Sequence, residues 1–245
     1  TKGCKKYDTV NIKQPAALVA NIVAKSDVTC FGLTNGTATA GASGGNGGFS
    51  FAWDNGANTA TTNTLNANNH KVVVTDMKGC KDSAFALINQ PAVLDVTLVD
   101  TNATKCYGSK DGKAIVAVTG GNYPYNYNWN PAAADNDSIV DTLANGVYKV
   151  IVTDNKNCKD TLTGIVIKQP DTMTLSFTPT HVTCYGFNNG KAKVSVLGGF
   201  GNIYTYQWSP GGETTDSITG KISGTYTVTV KDFNLCSKVG TVIIT

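Results

Sequence analysis

The sequence repeats itself with a period of 76 to 79 residues. Each repeat carries a cysteine followed by an aromatic residue and a glycine, then a Gly-Gly pair, a tryptophan and a second cysteine. The tryptophans are Trp53, Trp129 and Trp208, spaced 76 and 79 residues apart. Anchors of such rare residue types do not recur twice at one spacing by chance, so the chain is a tandem array. Arrays of this kind build extended contact surfaces rather than a single catalytic pocket.

Recurring Gln-Pro dipeptides mark the expected boundaries between repeats. They predict a first repeat at 16–91, a second at 92–170 and a third at 171–245. Residues 1–15 match the end of a repeat, so we expect them to be the C-terminal strand of a truncated preceding repeat, within a longer protein. Proline fixes its own φ and biases the preceding residue toward an extended conformation, which predicts stiff joints.

The composition and the local patterns predict an all-β fold. The chain has one Glu and no Arg but many Thr, Asn, Gly and Val, a mixture that favours strands and turns. In each repeat, aromatic residues alternate with polar ones up to the tryptophan, which places the rings on one face of a strand. About seven short strands per repeat indicate tandem immunoglobulin-like β-sandwiches. Tyr148 and Tyr226 are predicted to be the hydrogen-bonding tyrosine of such sandwiches, with His70 in that place in the first repeat.

By their spacing, the seven cysteines divide into three candidate pairs within repeats and one left over. The predicted pairs are Cys30 with Cys80, Cys106 with Cys158, and Cys184 with Cys236, with Cys4 left unpaired. One disulfide per repeat, closing about 50 residues, would stabilise each repeat by roughly 4 kcal/mol in the chain-entropy model. An alternative pairing joins cysteines 26 residues apart across the boundaries and leaves Cys236 over. Either pairing implies an oxidising, extracytoplasmic location.

The sequence lacks the residue patterns of enzymes, metalloproteins and nucleic-acid-binding proteins. Its net charge of +3 comes from scattered lysines, and without Arg it has no bidentate phosphate ligand. No nucleophile motif, phosphate loop or zinc-ligand spacing is present, so we expect no catalytic residues, no metal and no cofactor. No apolar run is long enough to span a membrane. Asp76, Asp154 and Asp232 recur before the second cysteine, where a single carboxylate is more typical of a turn cap than of a calcium site.

The aromatic rows have two interpretations. Exposed rings around Trp53, Trp129 and Trp208 would stack on sugars and form carbohydrate-binding modules. A small sandwich, however, needs large apolar residues in its core, and these are the largest in each repeat. We therefore expect the tryptophans to lie in the cores, with glycan binding as the alternative.

A short triplet, Asp followed by Ser or Thr and an aliphatic residue, occurs seven times where composition predicts about one. Its hydroxyl residues are Thr9, Ser83, Ser138, Thr142, Thr161, Thr172 and Ser217. The local interpretation is that Asp ends a turn and the next residues start a strand. The alternative is that some of these hydroxyls carry O-linked glycans.

Several segments resemble the SprB-type repeat of Bacteroidota gliding adhesins. They are Val28 to Gly32, Gly120 through Trp129, Gly146 to Tyr148, and Val152 through Cys158. The resemblance implies a very large cell-surface filament, exported by the type IX system and moved by the gliding machinery. It also implies extracellular surfaces or polysaccharides as partners, and the triplet is similar to an O-glycosylation signal of those bacteria. The expected function is that of a non-enzymatic stalk.

Overall fold

The computed structural model describes residues 3–131 and 137–245, and it confirms the all-β prediction. The first repeat contains β1 (Val19–Ser26), β2 (Gly36–Ser43), β3 (Ser50–Trp53), β4 (Thr61–Leu65), β5 (Asn69–Thr75) and β6 (Lys81–Leu87). The second contains β7 (Asp95–Asn102), β8 (Gly112–Thr119), β9 (Tyr125–Asn130), β10 (Ile139–Leu143), β11 (Gly146–Asp154) and β12 (Lys159–Ile167). The third contains β13 (Asp171–Thr180), β14 (Gly190–Gly199), β15 (Thr205–Ser209), β16 (Ser217–Lys221), β17 (Gly224–Lys231) and β18 (Ser237–Ile244). Over these described ranges, no helix has the length and apolarity to cross a bilayer.

Each repeat folds into two three-stranded antiparallel sheets. In the first repeat the strand orders are β1-β2-β4 and β3-β5-β6, and the same orders recur in the third as β13-β14-β16 and β15-β17-β18. These are the A-B-E and C-F-G sheets of an immunoglobulin-like sandwich. The expectation of seven strands was wrong for the first and third repeats, which are described without gaps and have six each, without the fourth (D) strand of constant-type domains.

By mutual packing the chain divides into two compact units. Unit 1 comprises Thr1–Asp95, Thr119–Pro124 and Asp154–Cys158; unit 2 comprises Val96–Val118, Tyr125–Thr153 and Lys159–Thr245. Unit 1 therefore contains the core of the first repeat, and unit 2 contains the cores of the second and third. The repeat boundaries expected from the Gln-Pro dipeptides stay predictions.

The tryptophans lie at the centre of the three cores. Trp53, Trp129 and Trp208 are 4%, 2% and 1% exposed and pack against valines of the facing strands. Each indole Nε1–H donates to a backbone carbonyl, with distances of 2.9 to 3.0 Å. The only hydrogen-bond donor of each buried indole is thus paired, which explains why one Trp per repeat suits this position. The interpretation of the aromatic rows as core is confirmed.

The predicted tyrosine contact is confirmed, and a histidine reproduces it in the first repeat. The hydroxyls of Tyr148 and Tyr226 donate to the carbonyls four residues earlier, at 3.1 Å in both repeats. In the first repeat His70 Nε2 lies 3.0 Å from the carbonyl of Asn66, and Nδ1 lies 3.0 Å from Asp54 Oδ1. Both ring nitrogens of this buried histidine therefore lie within hydrogen-bond distance of an oxygen atom.

The described residues of the N-terminal segment, 3–15, are exposed and form no strand. Their assignment to the end of a preceding repeat stays a prediction based on the sequence match.

Three loops of each repeat carry the cysteines or the residues that contact them. The AB loop joins the first and second strands, and in the three repeats it spans 27–35, 103–111 and 181–189. The BC loop joins the second and third strands and spans 44–49, 120–124 and 200–204. The FG loop joins the fifth and sixth strands and spans 76–80, 155–158 and 232–236.

The AB loop lies at one end of the sandwich, and the BC and FG loops lie at the other. In the first repeat, Val28 N donates to Asn89 O, which ties the AB loop to the end of the last strand. At the opposite end, Asn46 N of the BC loop donates to Asp76 Oδ2 of the FG loop. The third repeat repeats both contacts, with Val182 N on Thr245 O and with the FG carboxylate accepting from the BC backbone. The 8-residue strand β2 runs between the two ends, a separation of roughly 26 Å.

Candidate functional site: the disulfide-linked joints between repeats

Two disulfides occur among the described residues, and both join one repeat to the next. Cys30 of the first repeat bonds Cys158 of the second, with a Cα–Cα distance of 5.7 Å. Cys106 of the second bonds Cys236 of the third, with a Cα–Cα distance of 5.6 Å. The remaining cysteines, Cys4, Cys80 and Cys184, are exposed thiols. The prediction of one disulfide within each repeat was therefore wrong, and so was the alternative pairing.

The two cysteines of one repeat do not bond each other because they lie far apart on the sandwich. The first cysteine of each repeat sits on the AB loop and the second on the FG loop. In the first and third repeats these loops lie at opposite ends of a strand roughly 26 Å long or longer. A disulfide requires Cα atoms within about 7 Å of each other. Both bridges instead pair the AB loop of one repeat with the FG loop of the following one.

The first joint lies within unit 1 and is organised by a buried carboxylate. Asp154 is 2% exposed, and its Oδ2 accepts from the backbone and side-chain N–H groups of Asn122 at 2.8 and 3.0 Å. Its Oδ1 accepts from the N–H groups of Lys156 and Cys158 at 2.7 and 2.9 Å. Asp154 thus fixes the BC loop and the FG loop together and presents Cys158 to its partner. Asp76 makes the same four contacts in the first repeat, so the turn-cap interpretation is confirmed.

These hydrogen bonds determine the ionisation of the carboxylates. Burial raises the pKa of Asp154, but the bonds donated by Asn122, Cys158 and Lys156 outweigh burial and hold that pKa below its ordinary value. The pKa of Asp76 is likewise lowered, against the effect of burial, by N–H donors from Asn46, Cys80 and Lys78. The charged form is therefore the one that the loops are built to hold. Within residues 3–131 and 137–245 no group of three potential metal ligands is found.

The Asn122 side chain also reaches across the joint. Its Nδ2 donates to the carbonyl of Thr29, the residue before Cys30, at 3.1 Å. The sulfur of Cys158 lies 3.3 Å from the same carbonyl. The bridge is thus accompanied by a direct hydrogen bond between the two repeats.

The second joint lies within unit 2 and makes the equivalent contact with a different residue. The carbonyl of Lys105, which precedes Cys106, accepts from Asn234 Nδ2 at 2.9 Å. Asn234 belongs to the FG loop, whereas Asn122 belongs to the BC loop, where the third repeat has Phe200. The sulfur of Cys236 lies 3.4 Å from the Lys105 carbonyl, as in the first joint.

The glutamines of two Gln-Pro dipeptides, Gln90 and Gln169, support the cysteine-bearing AB loops of the first and second repeats. Gln90 Oε1 accepts from Gly32 N at 2.9 Å, and Gln169 Oε1 accepts from Gly108 N at 2.9 Å. The recurrence of Gln beside Pro, and of Gly two residues after Cys, therefore reflects one hydrogen bond. The sequence shows this pair of motifs, but only the fold shows that they meet.

The Gly-Gly pair holds the BC loop against the start of its repeat. Gly120 has φ +69°, and a Cβ there would lie 1.8 Å from the carbonyl oxygen of Val93. Gly121 N donates to Ala92 O at 3.0 Å. Only glycine permits this close approach with a positive φ. The sequence shows the pair as a recurring feature, but its role in the joint becomes clear only from the fold.

The candidate glycan-binding residues are not available to a ligand. Trp53, Trp129 and Trp208 are buried and their Nε1–H groups are bonded to backbone carbonyls. This finding removes the proposed stacking platform, because a sugar must reach a ring face. The tryptophans are buried because the sandwich needs large apolar side chains in its core, and alternation along the strand places the tryptophan on the face that packs into that core.

The seven hydroxyl residues of the Asp-Ser/Thr-aliphatic triplet all lie outside the cores. Thr9, Thr142, Thr161 and Thr172 are exposed, and Ser83, Ser138 and Ser217 are half-buried. Modification of any of them stays a prediction.

Comparison with known families agrees with the geometry of the repeats. The SprB repeat family model matches residues 22–58, 99–134 and 176–213, from the first strand of each repeat to just beyond its tryptophan. This chain is an array of SprB-type repeats. The matched part of each SprB-type repeat includes the AB loop with its cysteine and the BC loop with its Gly-Gly pair, but not the FG loop.

Other comparisons add little to this assignment. No curated protein matches the chain in sequence. Among solved structures, the N-terminal eight Ig domains of Down syndrome cell adhesion molecule have 12% identity and a TM-score of 0.33, over 80% of this chain and 32% of that one. Drosophila OTK extracellular domains 3–5 have 11% identity and a TM-score of 0.30, over 85% of this chain and 90% of that one. With scores this low, the fold assignment rests on the sheets and cores.

Proposed function

We propose that this chain belongs to the repeat region of a large cell-surface adhesin, where it acts as a stiff, non-enzymatic stalk in surface adhesion and gliding motility. The observation that supports the proposal best is the disulfide from the AB loop of one repeat to the FG loop of the next, at both joints. The sequence contains no nucleophile motif or acid–base set of the kind that marks an enzyme.

A bridge in this position limits how far the chain can lengthen under tension. The Cys30–Cys158 bridge spans 128 residues. At about 3.3 to 3.6 Å per extended residue, a loop of that size holds roughly 420 to 460 Å of chain that force cannot release. A stalk that connects a cell to a substrate benefits from this limit, because it transmits load from repeat to repeat with little increase in length.

The remaining parts of the proposal concern the cell. SprB-type repeats imply an extracellular location, partners among extracellular surfaces or polysaccharides, and export by the type IX system through parts outside these repeats. We further propose O-linked glycans on exposed members of the triplet set. Intact-mass measurement of protein from its native host tests the last point: a mass equal to the bare, oxidised sequence contradicts it.

The mechanical role is tested by stretching single molecules of the oxidised and the reduced chain between their ends. We expect the oxidised chain to lengthen far less than the reduced one, because both bridges divert force around most of the repeats. Equal lengthening of the two forms would contradict the stalk proposal. A Cys4→Ser chain serves as a control, since the thiol lies outside both bridges.

The cellular role is tested by changing Cys30, Cys106, Cys158 and Cys236 to serine in the parent protein of its host. We expect slower gliding and weaker attachment at an unchanged amount of the protein on the surface, measured by antibody labelling of intact cells. Normal movement and attachment at equal surface abundance would contradict the proposal.

A further inference from the structure

Asparagine followed by glycine is a chemically reactive pair, and the sequence contains five such pairs. They begin at Asn35, Asn46, Asn55, Asn145 and Asn189. In such a pair the backbone nitrogen of the glycine can attack the side-chain carbonyl carbon of the asparagine, because glycine has no Cβ to obstruct the approach. The attack requires an asparagine side chain that is free to turn toward the backbone. The folded chain therefore protects a pair wherever it holds the amide in hydrogen bonds.

Two of the pairs lie at equivalent places in the AB loops of the first and third repeats and are held in the same way. Asn35 Oδ1 accepts from Thr29 N at 3.1 Å, and Asn35 Nδ2 donates to Thr29 Oγ1 at 2.8 Å. Asn189 makes the same two bonds with Thr183, at 3.2 and 2.8 Å. Both asparagines are thus fixed through both polar atoms of the side-chain amide.

The two other pairs of the first repeat are held by different partners. Asn46 Nδ2 donates to the buried Asp76 carboxylate at 2.8 Å, a charge-assisted bond. Asn55 Nδ2 donates to Thr62 Oγ1 at 2.9 Å, and Asn55 Oδ1 accepts from Ala57 N at 3.1 Å. Each of these amides must break at least one hydrogen bond before it can turn toward its glycine.

Asn145 differs from the other four asparagines. It lies in the two-residue connection between β10 and β11, it is exposed, and no hydrogen bond joins its amide to the described part of the chain. The space beside Gly146 is open as well, because a Cβ there would meet only Tyr148 Cε2, at 3.6 Å. A Cβ on Gly36 would instead lie 2.7 Å from Ile88 Cγ2. Neither hydrogen bonding nor close packing therefore opposes the reaction at Asn145.

We propose that Asn145 is a site of spontaneous deamidation, which converts it to isoaspartate and aspartate in the folded chain. The Gly146 nitrogen bonds to Cγ of Asn145 and closes a cyclic succinimide, while the side-chain nitrogen leaves as ammonia with the proton of the Gly146 N–H. Water then opens the succinimide at one of its two carbonyl carbons. Opening at Cγ gives aspartate, and opening at the main-chain carbonyl gives isoaspartate, whose backbone runs through Cγ. One water is consumed and one ammonia is released, with no oxidant or reductant.

The modification would change a corner that lies close to the second joint. The Tyr148 hydroxyl donates to Ala144 O at 3.1 Å, across Asn145. Isoaspartate adds a methylene to the main chain between these two residues, which displaces the carbonyl from the hydroxyl. The new carboxylate lies in the same surface hollow as Lys168 and Gln169, and Gln169 supports the AB loop that carries the second bridge. This inference does not depend on a role in gliding, since it rests on the five amides alone.

The test compares the five pairs within one chain, first folded and then unfolded. The oxidised chain is kept in mildly alkaline buffer, and samples taken over time are analysed by peptide mapping with fragment-ion mass spectrometry. Isoaspartyl methyltransferase with a labelled methyl donor identifies isoaspartate in the same peptides. We expect Asn145 to deamidate at least about fivefold faster than each of the other four, the factor for one hydrogen bond of about 1 kcal/mol. In the reduced chain in denaturant, the five pairs should react at similar rates.

Three results would overturn the proposal. They are the absence of isoaspartate at position 145, faster reaction at another pair of the folded chain, or the same order of rates in the folded and the unfolded chain. The last result would mean that flanking sequence, and not the fold, determines the rates. Asn145→Ser, which introduces the residue that the third repeat has at this place, Ser223, should remove the methyltransferase label from this peptide and leave the other four pairs unchanged.

A second variant tests whether hydrogen bonds protect these amides. Thr183→Val removes the hydroxyl that accepts from Asn189 Nδ2. We expect Asn189 to deamidate about fivefold faster in this variant, the factor for one hydrogen bond. Asn35 is the matched control in the same chain, because Thr29 still holds it and its rate should not change. An unchanged rate at Asn189 would show that hydrogen bonds do not govern the reaction and would also overturn the proposal.

Discussion

The two joints use the same backbone acceptor but different asparagines. In the first joint Asn122 comes from the BC loop, and in the second Asn234 comes from the FG loop, yet each donates to the carbonyl that precedes the AB cysteine. The Asn122 side chain also donates to the Asp154 carboxylate. In the third repeat Phe200 takes the position of Asn122, and only its backbone N–H can donate to the corresponding carboxylate, Asp232. The comparison teaches that the repeats preserve a contact at the joint and not a residue at a fixed position.

Of the changes that test this comparison, removing either bridge should lower the free energy of unfolding most. The bridges span 128 and 130 residues, and loops of that length correspond to about 5 kcal/mol each in the chain-entropy model. We expect Cys30→Ser/Cys158→Ser and Cys106→Ser/Cys236→Ser to lower the free energy of unfolding by similar amounts in chemical denaturation. Cys80→Ser, which removes no bridge, is the control. A marked difference between the two bridge variants would mean that the two bridges do not contribute equally to stability.

Replacing the glycines that hold the BC loops should have the second-largest effect on the free energy of unfolding. A Cβ on Gly120 would lie 1.8 Å from Val93 O, and one on Gly198 would lie 2.2 Å from Thr172 O. Gly120→Ala and Gly198→Ala should each lower the free energy of unfolding by about 2 to 4 kcal/mol, from steric overlap added to a positive φ. Gly47 has φ +66°, and a Cβ there would meet nothing within 4 Å, so Gly47→Ala should cost only about 1 kcal/mol. Equal losses at all three positions would show that φ alone matters.

The Asp154 carboxylate should make the first joint sensitive to acid. Its pKa is lower in the folded chain than the ordinary value near 3.9. Its contribution is therefore fully present above that ordinary value and is lost as the pH falls toward the folded-state pKa. Asp154→Asn should cost about 1 to 3 kcal/mol at pH 7, because an amide cannot accept all four bonds. Denaturation curves from pH 7 to pH 3 should fall less steeply for Asp154→Asn than for the parent chain; parallel curves would contradict the assignment.

The two asparagines should give the smallest effects, and those effects should be specific to their joints. Asn122→Ala should make the Cys30–Cys158 bridge more readily reduced by dithiothreitol, and Asn234→Ala should do the same for Cys106–Cys236. Loss of one hydrogen bond predicts a change of about 1 kcal/mol, or roughly fivefold in rate. Asn122→Ala should have the larger effect, since its amide also bonds Asp154. The bridge at the unaltered joint serves as the control in each variant, and acceleration there would contradict the local role.

The sequence was sufficient for the fold because the fold is determined by local patterns. Alternation up to Trp129, the Tyr148 hydrogen bond and the turn cap at Asp154 all follow from spacing within a repeat. The disulfide pairing was wrong because it assumed that the two cysteines of one repeat bond each other, whereas both bridges join different repeats. The predicted sandwich already implied the correction, since its AB and FG loops lie at opposite ends.

Other features of the joints could not be predicted from one sequence. Asn234 does not align with Asn122, so no recurring motif marks it as a contact. The Gln-Pro and Cys-aromatic-Gly motifs do recur, but they lie about 60 residues apart, and only the return of the last strand to the AB loop brings Gln90 to Gly32. Tertiary geometry, and not local propensity, determines these contacts.

The overlap of the two bridges bears on how the chain withstands proteases. The first bridge closes residues 30–158 and the second closes 106–236, so together they cover the chain from 30 to 236 without a gap. A single backbone cut anywhere in that interval leaves both fragments attached through a disulfide. Bridges confined to single repeats would have left every connection between repeats open to severing by one cut. A surface protein exposed to secreted proteases can therefore be nicked in any of these repeats and still remain one molecule.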